Sequence, residues 1–496
     1  MISSAHVNGC PPPDQEEGER GVLHPLPGGL SKNILHGRCG VMRFAFFALL
    51  ADLVLWVVIY LGISYFTGSY NLIKLNAVAV PILVLMSALS LIGSYRIRTD
   101  FASLRYASEH LIACILAYPL AAFIQYVITS YGSGVLSSRA IYTASFFIFC
   151  GLSLLVRRWF WFASSEIRSQ EGLLVIVDEE YGSIFYRDYL RSEQHQKLLF
   201  LTTSPSMIGK RIAGGDSPVI EGEASQLGSV FRSNEAIDFQ GIVIASKISH
   251  LDAELMSLLS LVHFKNMPVY TLELFYEQFW DRVLLRLIGP RWPFEVNFVL
   301  VQNSIYSTVK RFWDFFIALF ALLLLSPLFL LIALAIRIVD GAPIFYSQLR
   351  IGIYQHPFIL HKFRTMRVGS DQQDRYTREG DSRVTRIGSF LRKTRLDELP
   401  QLWNVLLGDM SMIGPRAEWV KLVADYEKEI PHYHFRHLVK PGITGWAQVN
   451  YPYGASLEDT LEKLSYDLHY IRNFSMRLDA EVVLKTLYVI FFGKGQ

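Results

Sequence analysis

The chain has 496 residues and a formal net charge of +3, with 51% hydrophobic and 18% charged residues. Because charged residues make up about a quarter of a typical soluble protein, this composition excludes an ordinary soluble protein, a coiled coil and a disordered chain. It predicts a membrane protein with soluble parts and gives no indication of nucleic-acid binding. The chain has four scattered cysteines and no CxxC pair (Cys10, Cys39, Cys114 and Cys150). These cysteines predict isolated apolar thiols rather than a disulfide framework or a zinc site.

The N-terminal third divides into a polar tail and a membrane part. Residues 1–40 are rich in proline, glycine and acidic residues, which predicts a disordered cytosolic tail. Residues 41–165 then carry four apolar stretches of the length that a spanning helix needs, at 42–66, 72–94, 108–130 and 140–163. The pattern predicts a bundle of four transmembrane helices.

Arginines flank this bundle on one side, in the second loop and after the fourth stretch (Arg96, Arg98, Arg105, Arg157, Arg158 and Arg168). The positive-inside rule therefore places both ends of the bundle in the cytoplasm. Asp52 and Glu109 lie near helix ends, where we expect solvated or snorkelling side chains rather than an intramembrane relay.

Residues 172–302 alternate short apolar runs with helical stretches, which predicts βαβ units and a Rossmann-like parallel sheet. A dinucleotide-binding domain needs a glycine-rich loop after its first strand. Here the run 173–177 is followed by Asp178, Glu179 and Glu180, whose carboxylates would repel a phosphate. We therefore expect a degenerate domain that binds no dinucleotide and has a structural or regulatory role.

The uncharged run from Phe315 to Ile336 is long enough to span a bilayer but is interrupted by Ser326 and Pro327. Lys310 and Arg311 precede the run and another arginine follows it, so both ends are assigned to the same side of the membrane. These features favour a re-entrant helix at about 312–338. A kinked spanning helix is the alternative, and it would place residues 340–496 outside the cell.

A basic segment follows, with ten lysines and arginines between residues 362 and 395 (Lys362, Arg364, Arg367, Arg375, Arg378, Arg383, Arg386, Arg392, Lys393 and Arg395). These cations could hold anionic lipid headgroups, or they could bind substrate phosphates, which arginine does in a bidentate manner. Density alone does not separate the two interpretations.

The next motif, LDELPQLWNVL at 396–406, places Leu399, Leu402, Trp403 and Leu406 on one predicted buried helix face. Asp397 then lies at or before the helix N-terminus, where it could act as an N-cap. Alternatively, a carboxylate surrounded by arginines can attack phosphorus and form an acyl phosphate. Asp397 and Glu398 together also offer hard oxygen ligands for Mg²⁺. The glycine-bounded motifs GDMSMIGPR (408–416) and KPGITGWAQV (440–449) follow, and each is compatible with a plain turn.

Taken together, the Ser-Pro break, HKFRTMR, LRKTRLDELPQLWNVL, GDMSMIGPR and KPGITGWAQV resemble the bacterial sugar transferase family over residues 305–496. These are monotopic phosphoglycosyl transferases, and the layout of the whole chain is similar to their large polyprenyl-phosphate hexose-1-phosphate transferase branch of the exopolysaccharide type. The resemblance implies a mostly α catalytic domain anchored by the re-entrant helix.

The resemblance also implies roles for individual residues. It makes Asp397 the nucleophile and the Mg²⁺ ligand, and Glu398 its catalytic partner. It assigns Lys362, Arg392 and Arg416 to substrate phosphates. Arg364 and Lys440, in the same motifs, join them as substrate-binding candidates. Pro415-Arg416-Ala417 and His361-Lys362-Phe363 depart from the family's usual Pro-Arg-Pro and Tyr-Lys-Phe, but neither departure removes a charge.

The implied reaction transfers a sugar 1-phosphate from a UDP-sugar to membrane polyprenyl (undecaprenyl) phosphate and releases UMP, as the first membrane step of exopolysaccharide or O-antigen synthesis. It implies a multi-pass protein of the bacterial inner membrane, in contact with membrane lipids, whose catalytic domain faces the cytoplasm. The identity of the sugar and a homodimer are left open. The alternatives are a membrane nucleotide-sugar dehydratase-like enzyme and a non-catalytic membrane scaffold.

Overall fold

The fold is taken from a computed structural model, which describes the following residues: 29–68, 75–95, 99–131, 139–163, 171–192, 196–234, 237–247, 251–264, 267–287, 305–369, 381–452, 454 and 456–492. The predicted tail up to residue 28, Arg96, Arg98 and Arg168 lie outside these ranges. Residues 29–40 form the first turns of a helix, whereas their composition predicts disorder.

Four helices make up the N-terminal part: α1 (Gly29–Phe66), α2 (Leu75–Leu91), α3 (Leu104–Tyr131) and α4 (Arg139–Ala163). Helices α1, α3 and α4 each contain a segment long and apolar enough to cross a membrane. In α2 the apolar segment is the shorter Val78–Leu91. The helices share one apolar core, which includes Trp56, Leu85, Ala117 and Phe149.

Polar groups inside this core correct two sequence predictions. Asp52 is buried rather than solvated, and it accepts bidentate hydrogen bonds from Arg157 at 2.9 and 2.6 Å. The pair satisfies both charges inside the bundle. Arg157 is therefore a buried partner of Asp52, and it does not count among the loop arginines that the positive-inside rule uses. Cys114 and Cys150 are not isolated thiols either, since their sulfurs lie within 4.8 Å of each other and of a His110 ring nitrogen. They come from α3 and α4, so the spacing of cysteines along the chain carries no sign of this cluster.

The middle of the chain alternates strands and helices: β1 (Glu171–Val177), α5 (Glu179–Arg191), β2 (Lys197–Thr202), β3 (Ile220–Glu223), α6 (Leu227–Ser233), β4 (Asp238–Ala245), α7 (Ala253–Phe264), β5 (Val269–Thr271) and α8 (Leu272–Phe279). The five strands form one parallel sheet in the order β3-β2-β1-β4-β5. Separate apolar clusters cover its two faces, as expected of a parallel sheet with helices on both sides. The short strand β3 has no counterpart among the predicted runs.

A carboxylate occupies the turn after β1, where a dinucleotide-binding domain has its phosphate loop. The side chain of Asp178 accepts hydrogen bonds from the backbone N–H groups of Tyr181 (2.9 Å) and Lys247 (3.2 Å). The N-terminus of α5 is therefore already capped by an anion. This arrangement supports the expectation that the domain binds no dinucleotide.

The C-terminal part contains these elements: α9 (Ile305–Leu324), α10 (Ser326–Val339), β6 (Phe345–Ile351), β7 (Pro357–Phe363), α11 (Arg386–Lys393), α12 (Gln401–Leu407), β8 (Ser411–Ile413), α13 (Val420–Glu429), β9 (Gly442–Thr444), α14 (Trp446–Asn450), α15 (Leu457–Arg472) and α16 (Met476–Phe492). Strands β6 and β7 form an antiparallel pair, and β8 and β9 a parallel pair. Helices α13 and α15 pack into the main core of this part around the fully buried Trp446.

Helices α9 and α10 bend by 61° at the Ser-Pro break. Proline lies in the first turn of α10, where its missing N–H does least harm, and the Ser326 hydroxyl donates to the Leu323 carbonyl at 2.8 Å. Both ends of the bent pair contact the same part of the chain. Arg311 of α9 donates to the last carbonyls of α12 at 2.6 and 2.9 Å, and Arg364 donates to the carbonyls that follow α10 at 2.7 and 2.8 Å.

The three parts are joined by ion pairs. Arg282, which follows the sheet, contacts Asp188 of α5 at 2.9 Å and Glu462 of α15 at 2.6 Å. Glu109 of α3 pairs with Arg477 of α16 at 2.7 Å. Glu109 thus links the membrane helices to the C-terminal part. The sequence predicts no partner for this side chain.

Candidate active site

The carboxylate pair of the LDE motif lies in a tight turn between two helices. Helix α11 ends at Lys393, Arg395 adopts a left-handed conformation with φ of 59°, and Leu396–Glu398 form one turn of 3-10 helix before α12. No side chain caps α12, whose N-cap position is Pro400, so Asp397 does not serve as the N-cap that its position allows. Asp397 and Glu398 are both 8% exposed.

The helix after the turn buries a different face from the predicted one. Leu402 and Val405 are buried, but Trp403 is 51% exposed, which corrects its assignment to the core. In its place Asn404 is buried and clamps strand β7, donating to the Ile359 carbonyl at 2.7 Å and accepting from the His361 N–H at 3.2 Å. A buried amide with partners on both sides fixes the distance between α12 and β7.

Glu398 is neutralised by two cations. One of its oxygens, Oε1, accepts from Lys362 of β7 at 2.8 Å and from Arg416 at 2.9 Å. Burial alone would raise the pKa of Glu398, but Arg416 and Lys362 outweigh it and hold that pKa well below its usual range. Burial in turn lowers the pKa of Lys362. Glu398 is therefore an anion that orients two cations.

Asp397 differs from its neighbour. Among the described residues it has no hydrogen-bond or ion-pair partner. Burial raises the pKa of this carboxyl, Lys362 opposes the shift, and Glu398 adds to it. A carboxylate with a raised pKa is more basic, and thus more nucleophilic, than an ordinary one. The turn therefore presents one neutralised carboxylate and one available carboxylate, with cations close to both.

Arg392 and Arg416 come to the pair from different segments of the chain. Arg392 lies in the last turn of α11, close enough to oppose the raised pKa of Asp397, and its Nε donates to the Thr365 hydroxyl at 2.9 Å. The backbone of Arg416 is held by the buried Arg436, whose Nη2 donates to the Arg416 carbonyl at 3.1 Å. Each phosphate-binding candidate is thus fixed by a polar partner of its own.

The two glycine-bounded motifs form one structure rather than two separate turns. Their strands, β8 and β9, pair in parallel, and Gly442 donates to the Pro415 carbonyl at 2.9 Å. A Cβ on Gly442 would lie 2.0 Å from the Gly414 nitrogen, and one on Gly414 would lie 2.3 Å from the Lys440 carbonyl oxygen. Only glycine allows this close approach, which sets the position of Arg416.

Two of the predicted substrate-binding residues lie away from the carboxylate pair. Strand β7 ends at Phe363, and Arg364 turns to the chain after α10. Lys440 lies close to Gly408, beside Arg311 and Asp409 at the far end of α12. The geometry groups Lys362, Arg392 and Arg416 with Asp397 and Glu398, and leaves these two outside the group.

Arg350 is a residue of the site that the motifs did not indicate. A narrow cavity of about 10 Å³, room for one water molecule, is lined by Arg350 together with Lys362, Gln401 and Arg416. Arg350 donates from Nη1 to the Ala417 carbonyl at 2.9 Å, while its Nε is buried and finds no hydrogen-bond partner in the described ranges. The signal in the sequence is an arginine between two apolar residues of a strand. That strand forms a hairpin with the strand that contains HKF.

The donor set suits a divalent cation. With respect to the described residues, Asp397 has unpaired carboxylate oxygens, and one oxygen of Glu398 is already shared by two cations. Within the described ranges no third acidic, histidine or cysteine side chain joins this pair in a metal-binding group. Mg²⁺ typically takes one or two protein carboxylates and completes its shell with water and substrate phosphates, so the residues present fit that ion.

Comparisons with known proteins agree on one family. A model described as "Bacterial sugar transferase" matches residues 305–493. The chain is 39% identical over 195 residues to an exopolysaccharide production protein of Rhizobium leguminosarum, covering 38% of this chain and 98% of that protein.

Two longer relatives match over the same part of the chain. A UDP-N-acetylgalactosamine-undecaprenyl-phosphate N-acetylgalactosaminephosphotransferase of Aeromonas hydrophila is 45% identical over 197 residues, or 40% of this chain and 47% of that one. A UDP-glucose:undecaprenyl-phosphate glucose-1-phosphate transferase of Escherichia coli is 43% identical over 198 residues, or 39% and 42%. The matched segment thus spans less than half the length of either relative.

Proposed function

Because the chain belongs to the bacterial sugar transferase family, we propose that it transfers a sugar 1-phosphate from a UDP-sugar to undecaprenyl phosphate and releases UMP. The observation that carries the proposal is the difference between two adjacent carboxylates: Glu398 is neutralised by Lys362 and Arg416, whereas Asp397 has no partner among the described residues. Relatives named as UDP-glucose and UDP-N-acetylgalactosamine phosphotransferases support this substrate class.

In the proposed reaction, a carboxylate oxygen of Asp397 forms a bond to the β-phosphorus of the UDP-sugar. The bond from that phosphorus to the bridging oxygen breaks, and UMP leaves with the oxygen. An oxygen of undecaprenyl phosphate then attacks the phosphosugar on Asp397, which frees the carboxylate and gives undecaprenyl-diphosphate-sugar. No net proton transfer is needed in either step.

The surrounding cations have distinct tasks in this scheme. Lys362 and Arg416, oriented by Glu398, neutralise charge on the transferring phosphate, and Arg392 binds a neighbouring phosphate oxygen. Mg²⁺ held by Asp397 would supply further charge neutralisation at the diphosphate. Gly414 and Gly442 set the distance at which Arg416 reaches the site.

The membrane arrangement brings the two substrates together. We propose that α9 and α10 form a re-entrant helix, because both ends of the bent pair are bound by the same C-terminal part. Residues 305–496 would then remain at the cytoplasmic face of the bacterial inner membrane, where a sugar nucleotide is available. The lipid phosphate and the nucleotide meet in one plane, which favours the reaction through orientation.

The front of the chain holds this part in place. Helices α1 to α4 form the proposed four-helix transmembrane bundle of residues 41–165, and residues 172–302 a degenerate Rossmann-like domain. The ion pairs of Arg282 join that domain to α15 of the catalytic part. A dehydratase-like activity would need a phosphate loop at Asp178, where a carboxylate already caps the helix.

The proposal is tested with purified protein, undecaprenyl phosphate, Mg²⁺ and a panel of UDP-sugars that begins with UDP-glucose and UDP-N-acetylgalactosamine. We expect UMP release with at least one of them, and loss of that release to background in Asp397→Asn, which keeps the shape of the side chain. The exposed Glu429→Gln of α13 serves as the control and should retain full activity. UMP release that is unchanged in Asp397→Asn would defeat the assignment of Asp397 as the nucleophile.

A further inference from the structure

A second polar cleft lies where the bent helix pair returns to the soluble part. We name it the exit cleft. Its lining includes Val339, Asp340, Arg364, Arg367, Val368 and Arg386. Its volume is about 450 Å³, within the range of roughly 300–1,000 Å³ that is usual for small-ligand sites. None of these residues contributes to the carboxylate pair described above.

The base of the exit cleft has unused hydrogen-bond donors. Arg364 is 6% exposed, and its Nη2 donates to the carbonyls of Asp340 and Gly341. Its Nε and Nη1 are buried and have no hydrogen-bond partner among the described residues. Buried charged donors are costly unless they are paired, and the planar fork of an arginine matches the oxygens of a phosphate. Arg386, which is exposed, adds a second guanidinium at the opening of the cleft.

The same cleft also has an unused acceptor. Oδ2 of Asp340 is buried, and within the part of the chain that the structure describes it has no hydrogen-bond partner. A simple phosphate would be repelled by this carboxylate, so the cleft does not suit an anion alone. It suits a group that carries a phosphate and, a few bonds away, an ammonium with N–H donors.

The surroundings place the exit cleft at the level of lipid headgroups. Ile338 and Val339, at the end of α10, are 72% and 64% exposed, and Val368 on the other wall is 72% exposed. Apolar side chains exposed at the end of a membrane-inserted helix favour contact with acyl chains, and the polar residue that follows them lies at the interface. The cleft therefore opens where phospholipid headgroups are concentrated.

We propose that the exit cleft binds the headgroup of an amine-bearing phospholipid, of the phosphatidylethanolamine type. Arg364 and Arg386 bind its phosphate, and Asp340 accepts a hydrogen bond from its primary ammonium. The bound lipid fixes the end of α10 at the membrane surface. This inference rests on the proposed membrane insertion of α10 and does not depend on the proposed transferase reaction.

The test is native mass spectrometry of the full-length protein released from nanodiscs. The nanodiscs contain equal amounts of phosphatidylethanolamine, phosphatidylcholine and phosphatidylglycerol with the same acyl chains. We expect one retained lipid, with phosphatidylethanolamine preferred over phosphatidylcholine by about tenfold, the ratio that one charge-assisted hydrogen bond supports. Phosphatidylcholine is the matched probe, because its quaternary ammonium has no N–H.

Two variants separate the contributions of the headgroup. Asp340→Asn should reduce the preference for phosphatidylethanolamine to about unity, whereas Arg386→Gln should lower the retention of all three lipids without changing their ratio. Lys428→Gln, an exposed cation of α13, is the control and should change neither quantity. Hydrogen exchange in α10 checks that each variant keeps the fold.

Three results would overturn the proposal. The first is equal retention of the three lipids by the unmodified protein. The second is a preference for phosphatidylglycerol, or displacement of the bound lipid by an equal amount of undecaprenyl phosphate, since either would show a site for anions without selection for an amine. The third is an unchanged preference for phosphatidylethanolamine in Asp340→Asn.

Discussion

The ion pair between Lys362 and Glu398 gives the sharpest prediction about stability. Their charged atoms are 2.8 Å apart, and the two side chains are 16% and 9% exposed. At an effective dielectric constant of about 20, two unit charges at that distance attract each other by ~6 kcal/mol. Removal of the charges from water offsets much of this attraction, but loss of one buried partner typically costs ~3–5 kcal/mol.

We therefore expect Glu398→Gln to lower the local free energy of opening of β7 and of the turn 396–398 by about 3 kcal/mol. The lower end of the range applies because glutamine still accepts one hydrogen bond. Since the pKa of Glu398 is depressed below its ordinary value of 4.5, its stabilising contribution is present above that pH and is lost as the pH falls further.

The assay is hydrogen exchange of the full-length protein in nanodiscs, with Lys362→Met and the double variant completing a thermodynamic cycle. We expect a coupling energy of at least ~1.5 kcal/mol between the two positions. Glu427→Gln, whose partner Gln355 is exposed, is the control and should stay within ~0.5 kcal/mol of the unmodified protein. A coupling energy near zero would refute the electrostatic account of the site.

Three further predictions concern packing, ionisation and domain contacts. Gly442→Ala places a Cβ 2.0 Å from the nitrogen of Gly414, which directly follows β8, so the unfolding temperature and kcat should both fall, whereas Gly62→Ala, which meets nothing within 4 Å, should change neither. Because the pKa of the metal-free Asp397 carboxyl is raised above 3.8, its titration followed by NMR in the protein without Mg²⁺ should be centred above that value, and a titration centred below it would contradict the assignment. Arg282→Leu removes one ion-pair partner from each of two buried carboxylates, of which Asp188 keeps the Tyr276 hydrogen bond and Glu462 keeps Arg286, so limited proteolysis within residues 171–287 should accelerate, with a local loss of about 3 kcal/mol.

Features that depend on short stretches of sequence could be predicted. The break at Ser326 and Pro327 follows from the missing N–H of proline, and the alternation of apolar runs gives the parallel sheet. The carboxylates of the LDE motif could be identified as site candidates because cationic residues flank them in the sequence. In each case the physical cause lies within a few residues of the effect.

Features that depend on distant partners could not be predicted. Asp52 is buried because Arg157 lies opposite it, 105 positions along the chain. Trp403 has helical spacing suited to the core, yet it lies on the outer face, because Asn404 takes the inner face to clamp β7. Arg364 belongs to the same motif as Lys362, but the end of β7 at Phe363 turns the two side chains to different sites.

The most direct test of the account is the fate of Asp397 when the lipid acceptor is withheld. The protein is mixed with Mg²⁺ and its UDP-sugar in the absence of undecaprenyl phosphate, and UMP and the intact protein mass are measured on the same sample. The account predicts a burst of about one UMP per protein, with a phosphosugar on the peptide that contains Asp397. If UMP appeared only after undecaprenyl phosphate was added, with no adduct on the protein, transfer would be direct and the role assigned to Asp397 would be wrong.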